Sequence, residues 1–144
     1  MKTLAMTLLL IIFGKSCSEE SKQDMKSAVI EYTANTRGYF MKIALKDEKL
    51  MVTKDRSKGA VATAMKLSDA DKKELVKAFQ ELNLEEIPDL KAPTEKRFYD
   101  GAAMADLVIT YKDNTYKSQT FDHGNPPVEI EKFVNKLVSL VETE

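Results

Sequence analysis

Among the residues of this chain able to do chemistry, Asp122 and His123 come first: they are adjacent, and His123 is the only histidine. Gly124-Asn125-Pro126 behind them reads as the entry to a helix, with Asn125 as its cap and Pro126 at the first helical position. An imidazole placed there could act as a general base, and the N–H groups of a helix start could hold an anion. The same residue types are also what a chain needs to leave a strand and turn, and that explanation asks for less. A second group is Lys96-Arg97-Phe98-Tyr99-Asp100, inside a stretch, residues 88–101, with no apolar period. Charge, ring surface and a hydrogen-bonding tip within five residues suit a binding edge. The competing expectation is a packed connection in which Phe98 and Tyr99 plug the sheet edge and Arg97 pairs with an acid. Arg97, Tyr99, Asp100, Asp122 and His123 are therefore the candidate binding surface.

Other chemistries find little support. A metal would need more ligands than His123, Asp122 and Asp100, and no spacing matches a metal motif. No Gly-x-Ser-x-Gly elbow is present, and five glycines scattered singly make no phosphate loop. With 22 basic and 23 acidic side chains interleaved, the net charge is −1 and a nucleic-acid groove is not expected. No catalytic residue, metal ligand or cofactor is assigned. The methionines at 25, 41, 51, 65 and 104 read as filler of the core or of the second sheet face.

The elements that must position these groups follow from periodicity. Residues 28–34 are apolar and β-branched, and residues 39–55 form two strand runs broken at Lys46-Asp47-Glu48, a hairpin. Val61 to Lys66 is a further strand. Ser68 with Asp71 makes a capping arrangement in front of Leu75, Ala78, Phe79 and Leu82, so a helix starts there and ends near Asn83, ahead of Pro88. A second hairpin turns at Lys112-Asp113-Asn114. The last helix carries Ile130, Phe133, Val134, Leu137, Val138 and Val141 as one stripe. Ile43-x-Leu45-Lys46-Asp47 is echoed by Ile109-x-Tyr111-Lys112-Asp113, which suggests a hairpin-helix pseudo-repeat. Two single-faced helices need an apolar sheet face to cover. The expected fold is α+β, a two-layer sandwich of an antiparallel sheet with both helices on one face.

Cys17, the only cysteine, decides where this domain is expected to work. Lys2 precedes an apolar run, Leu4 to Phe13, of ten residues. As a helix that run covers about 15 Å, half of a hydrocarbon core, so it reads as an export signal rather than a span. "GKSC" resembles the lipobox of bacterial lipoproteins, in which the cysteine is acylated and the signal removed. "CSEES" resembles the surface-export signal of lipoproteins of the Bacteroidota, and "TEKRFYDGA" and "FDHGNPP" make the rest of the chain similar to small uncharacterised members of that group. The resemblance implies lipid attachment, palmitate included, at Cys17 and residence at the outer membrane or cell surface, and it implies no activity. The division is then 1–16 signal peptide, 17–27 flexible tether and 28–144 a single domain. Functionally the sequence points to a non-enzymatic module that binds an envelope protein or small ligand. The alternative is a small envelope hydrolase or metal-dependent enzyme using His123 with Asp122 or Asp100.

Overall fold

The computed structural model describes residues 22–142. In chain order it contains β1 (Ala28–Thr36), β2 (Tyr39–Lys46), β3 (Lys49–Thr53), β4 (Thr63–Met65), α1 (Asp69–Gln80), β5 (Met104–Tyr111), β6 (Asn114–Lys117), β7 (Phe121–Asp122) and α2 (Glu131–Glu142). Short 3₁₀ turns occupy Met25–Ser27, Leu84–Asp89 and Lys96–Tyr99. All strand pairs are antiparallel, in the order β4-β3-β2-β1-β5-β6, with β7 continuing beside the start of β5.

Period-2 alternation sorts the strands into two faces. Ile30, Tyr32 and Ala34 of β1 lie opposite Leu45, Ile43 and Met41 of β2 and Ile109, Leu107 and Ala105 of β5, and all are buried. The intervening residues are half-exposed, with Lys42 and Glu31 paired across strands at 2.9 Å. Both helices cover the apolar face: α1 buries Leu75, Ala78 and Phe79, and α2 buries Phe133, Val134, Leu137 and Val141. The Phe79 ring lies 5.9 Å from Phe133 and 6.1 Å, edge-on, from Tyr111, so one side chain joins α1, α2 and β5. The fold is thus the α+β sandwich that the periodicity predicts. Ser68 caps α1 as expected: its Oγ accepts the Asp71 N–H at 3.1 Å while its hydroxyl donates to the Asp71 carboxylate at 2.7 Å.

Three boundaries differ from the sequence expectations. Helix α2 begins at Glu131 and not at Pro126. A residue before proline avoids the α region, and here Asn125 precedes Pro126, which itself precedes Pro127; Asn125 instead bridges back to Asp122. The last helical hydrogen bonds of α1 end at Glu81, and Leu82 and Leu84 then turn inward. Finally, the segment expected as tether, residues 17–27, is in its described part docked on the domain. Met25 is buried, the Gln23 side-chain amide donates to the Leu82 carbonyl at 2.6 Å, and the Asp24 N–H donates to the Tyr111 hydroxyl at 3.2 Å. The pseudo-repeat holds only within the strands. Ile43 and Ile109 are both inward, but the hairpins turn at Asp47-Glu48 and at Lys112-Asp113, so the match slips by one residue.

The sheet therefore has two unlike ends. The chain enters at one, beside the Asp47-Glu48 and Lys112-Asp113 turns. These four residues all have positive φ, between 48° and 65°, without a glycine among them. At the far end lie the Arg37-Gly38 turn, loop 54–62, loop 98–103 and, held by His123, the last turn of α2.

Candidate functional site

The strand leading to Asp122 is irregular, and the Asp122 side chain, opposite Met104 on the outward face of the sheet, is buried by the loop that closes over it. Val108 pairs with Lys117 and Ala105 with Phe121, so one strand spends an extra residue between these pairs, a bulge. Ser118 stabilises it: its N–H donates to the Leu107 carbonyl at 2.9 Å and its Oγ accepts the Leu107 N–H at 2.9 Å. Thr120 donates to Asp106 at 2.8 Å alongside. Beyond the bulge, Phe121 and Asp122 are both fully buried.

The Asp122 carboxylate organises the loop before β5. It accepts from the Thr94 hydroxyl at 2.6 Å, the Lys96 N–H at 2.7 Å, the Arg97 N–H at 3.0 Å and the Arg97 guanidinium at 3.1 Å. Burial alone would raise its pKa, but the Thr94 hydroxyl, the two backbone N–H groups and the Arg97 side chain outweigh it and bring it down to about 2. Arg97 also donates to the Thr94 carbonyl at 2.8 Å and lies 4.4 Å from the centre of the Phe98 ring. Arg97 thus pairs with an acid, as the packed-connection expectation had it, with its side chain only 11% exposed. Phe98 and Tyr99 do not plug the edge: they are 70% and 72% exposed. Asp100 closes the 3₁₀ turn in the left-handed region at φ 57°, and the Gly101 N–H returns to the Lys96 carbonyl at 2.8 Å. A Cβ on Gly101 would stand 2.8 Å from the exposed Tyr99 ring and 3.2 Å from the Lys96 carbonyl oxygen, so a larger residue there would push the ring aside and crowd the turn.

His123 serves a separate network. Its ring lies between the Tyr32 hydroxyl, 2.8 Å from Nδ1, and Glu142, 3.1 Å from Nε2. A carboxylate only accepts, so the neutral ring carries its proton on Nε2 and accepts the Tyr32 O–H at Nδ1. The chain Tyr32–His123–Glu142 ties β1 to the last turn of α2. The Tyr32 pKa is strongly raised, first by burial and then by the negative charge of Tyr39, Glu142 and Asp106 in turn. Tyr39, whose ring is 5.8 Å from that of His123, is raised by burial and by Glu142.

The sequence candidates thus fall into two groups. Arg97 and Asp122 meet inside the loop, with Phe98 and Tyr99 displayed outside it. His123 and Asp100 border one shallow depression of about 450 Å³ with Tyr39, Thr36 and Glu142. Asp122 and His123, although adjacent, share no hydrogen-bond partner. Cys17 lies outside the described residues. Among the described residues no three His, Cys, Asp or Glu side chains converge to hold a metal ion, and no helix is long and apolar enough to cross a membrane. Tyr32, Glu142 and Thr94 join these networks through the fold and belong to no motif in the sequence. Tyr32 carried a signal, since a hydroxyl at an inward strand position needs a partner and the chain offers one histidine. Compared with known proteins, the chain matches no family model, no curated sequence and no solved structure.

Proposed function

We propose that this chain is a lipid-anchored protein of the bacterial cell envelope, held at the outer membrane or cell surface through Cys17, and that it works as a non-enzymatic binding module. One observation carries the binding part of this reading. Phe98 and Tyr99 are exposed on a loop whose backbone is held by a buried carboxylate with four donors, so apolar surface is presented in a fixed shape. Exposed aromatic rings in a preorganised setting are what a partner can bind without first ordering them. The anchoring part is supported by the Gly14-Lys15-Ser16-Cys17 junction and the Ser-Glu-Glu behind it.

The rival reading, a small hydrolase or metal-dependent enzyme, is supported by the depression that His123 and Asp100 share. Asp122 fits that role poorly, because both of its oxygens are taken by loop donors. Recovery of partners from envelope extract with the full chain, compared with a Phe98→Ala/Tyr99→Ala variant, tests the binding reading. Unchanged recovery would count against it. A hydrolytic activity abolished by His123→Ala and Asp100→Asn would favour the rival. Intact mass of wild type and Cys17→Ser tests the anchor, and equal masses apart from the substitution would reject it.

A further inference from the structure

Large exposed apolar side chains are not spread evenly. Of the six among the described residues, Tyr39, Val61, Phe98, Tyr99 and Met104 belong to the far end of the sheet, and Val128 is the exception. Phe98 and Tyr99, adjacent on one loop, form an exposed apolar patch of the kind that marks interaction sites. Part of this end is basic, although Asp100 and Glu142 also lie there. Turn 37–38 and loop 54–62 carry Arg37, Lys54, Arg56 and Lys58 against Asp55 alone, in a chain of net charge −1.

Arg56 is used by the fold: it donates to the Thr36 carbonyl at 2.7 Å and the Tyr39 carbonyl at 2.9 Å, and its guanidinium lies 5.8 Å from the Phe40 ring. It thereby folds loop 54–62 onto the β1–β2 turn. Arg37, Lys54 and Lys58 remain exposed and form no ion pair among the described residues. Strand order then places loop 54–62, turn 37–38 and loop 98–103 side by side above β3, β2, β1 and β5, a rim about 14 Å long at the usual strand spacing.

We infer that this far rim docks a protein partner through an acidic segment that carries apolar side chains. Phe98 and Tyr99 are the anchors, and Arg37, Lys54 and Lys58 are the rim charges that attract and orient the acids. Exposed rim charges act mainly on encounter rate and salt dependence, while buried aromatic anchors hold the complex. A bilayer is the less fitting occupant, because the chain enters at the opposite end of β1, about 26 Å away for nine residues of strand. The inference rests on the binding-module reading above and uses the anchor only to set which end faces outward.

The test places a photo-crosslinking residue, p-benzoylphenylalanine, in the full-length membrane-associated protein, at Tyr99 and, as a control at the entry end, at Lys112. Position 99 is expected to give a discrete protein adduct whose crosslinked peptide is acidic. Its yield should fall about tenfold with Lys54→Glu/Lys58→Glu at low salt, two rim pairs of somewhat under 1 kcal/mol each. Position 112 should give no such adduct. Both lysines are exposed, so the variant keeps its fold, which a thermal melt verifies. Adducts to lipid only, equal adducts from both positions, yields indifferent to the charge reversal, or no adduct at all would each overturn the proposal. A lipid-bearing chain with no adduct at position 99 removes the rim and leaves the anchor. An acidic adduct from a chain whose intact mass shows no lipid supports the rim and removes the anchor.

Discussion

The two ends of the sheet solve the same problem, joining strands, by different means. At the entry end the joins are two-residue turns, Asp47-Glu48 and Lys112-Asp113, forced into positive φ with charged residues in both positions. None of these four turn residues is apolar, and the incoming residues Gln23 to Met25 are fastened to Leu82, Tyr111 and the core. At the far end one join, Arg37-Gly38, is equally short, but loop 54–62 and the loop before β5 are longer, each is tied down by a charged side chain, Arg56 or Asp122, and rings stand outward. The difference teaches that exposure at the far end is not looseness. Loop 94–101 is displayed and fixed at once, which the entry end, built of minimal turns, has no means to do.

That contrast can be broken most severely at Asp122. Replacing it with alanine leaves two N–H groups, a hydroxyl and a guanidinium without their acceptor, and a loss of about 3–5 kcal/mol in chemical denaturation is expected, with faster amide exchange confined at first to residues 94–101. Met25→Ala is the counterpart at the entry end. It should cost about 2–4 kcal/mol and loosen residues 22–27 while the far loop stays protected.

The pH dependence sharpens the same point. The Asp122 carboxyl is held at about 2, below its ordinary value of 3.8. Its stabilising contribution is therefore complete above pH 4 and is lost as pH falls through 2. Melting temperature should drop across that window in wild type, and the drop should be smaller in Asp122→Asn.

Smaller effects test the turns and the rings. Asp113→Gly relieves a left-handed backbone at φ 65° and should stabilise by about 1 kcal/mol, seen as a rise in melting temperature. Phe98→Ala/Tyr99→Ala should change stability by less than about 0.5 kcal/mol, since both rings are exposed. A larger loss would mean that the rings support the loop rather than decorate it.

Much of the fold was legible because strands and helices announce themselves over short distances. Met41, Ile43 and Leu45 alternate, and Ser68 and Asp71 cap within one turn. The α2 start differs from the sequence expectation because Asn125 and Pro126 look like a cap and first turn when read singly, whereas Pro127 keeps Pro126 out of the α region. The candidate site was legible in composition and not in wiring. Arg97 and Asp122 both stand out by residue type, but that they bind each other depends on a sequence separation of 25 and on a bulge at Ser118 that no local pattern announces. Glu142 joins His123 only because α2 runs back along the sheet to its far end.

The way Asp122 grips its loop has a consequence for change over time. The grip uses main-chain N–H groups of Lys96 and Arg97, which every non-proline residue supplies, and it stops short of positions 98–100. Positions 98 and 99 are thereby free to vary without dismantling their support, while Asp100 is held to residues that accept a left-handed backbone. One scaffold of this kind could be retuned toward a succession of targets by swapping two or three surface side chains, while the buried aspartate stays as it is.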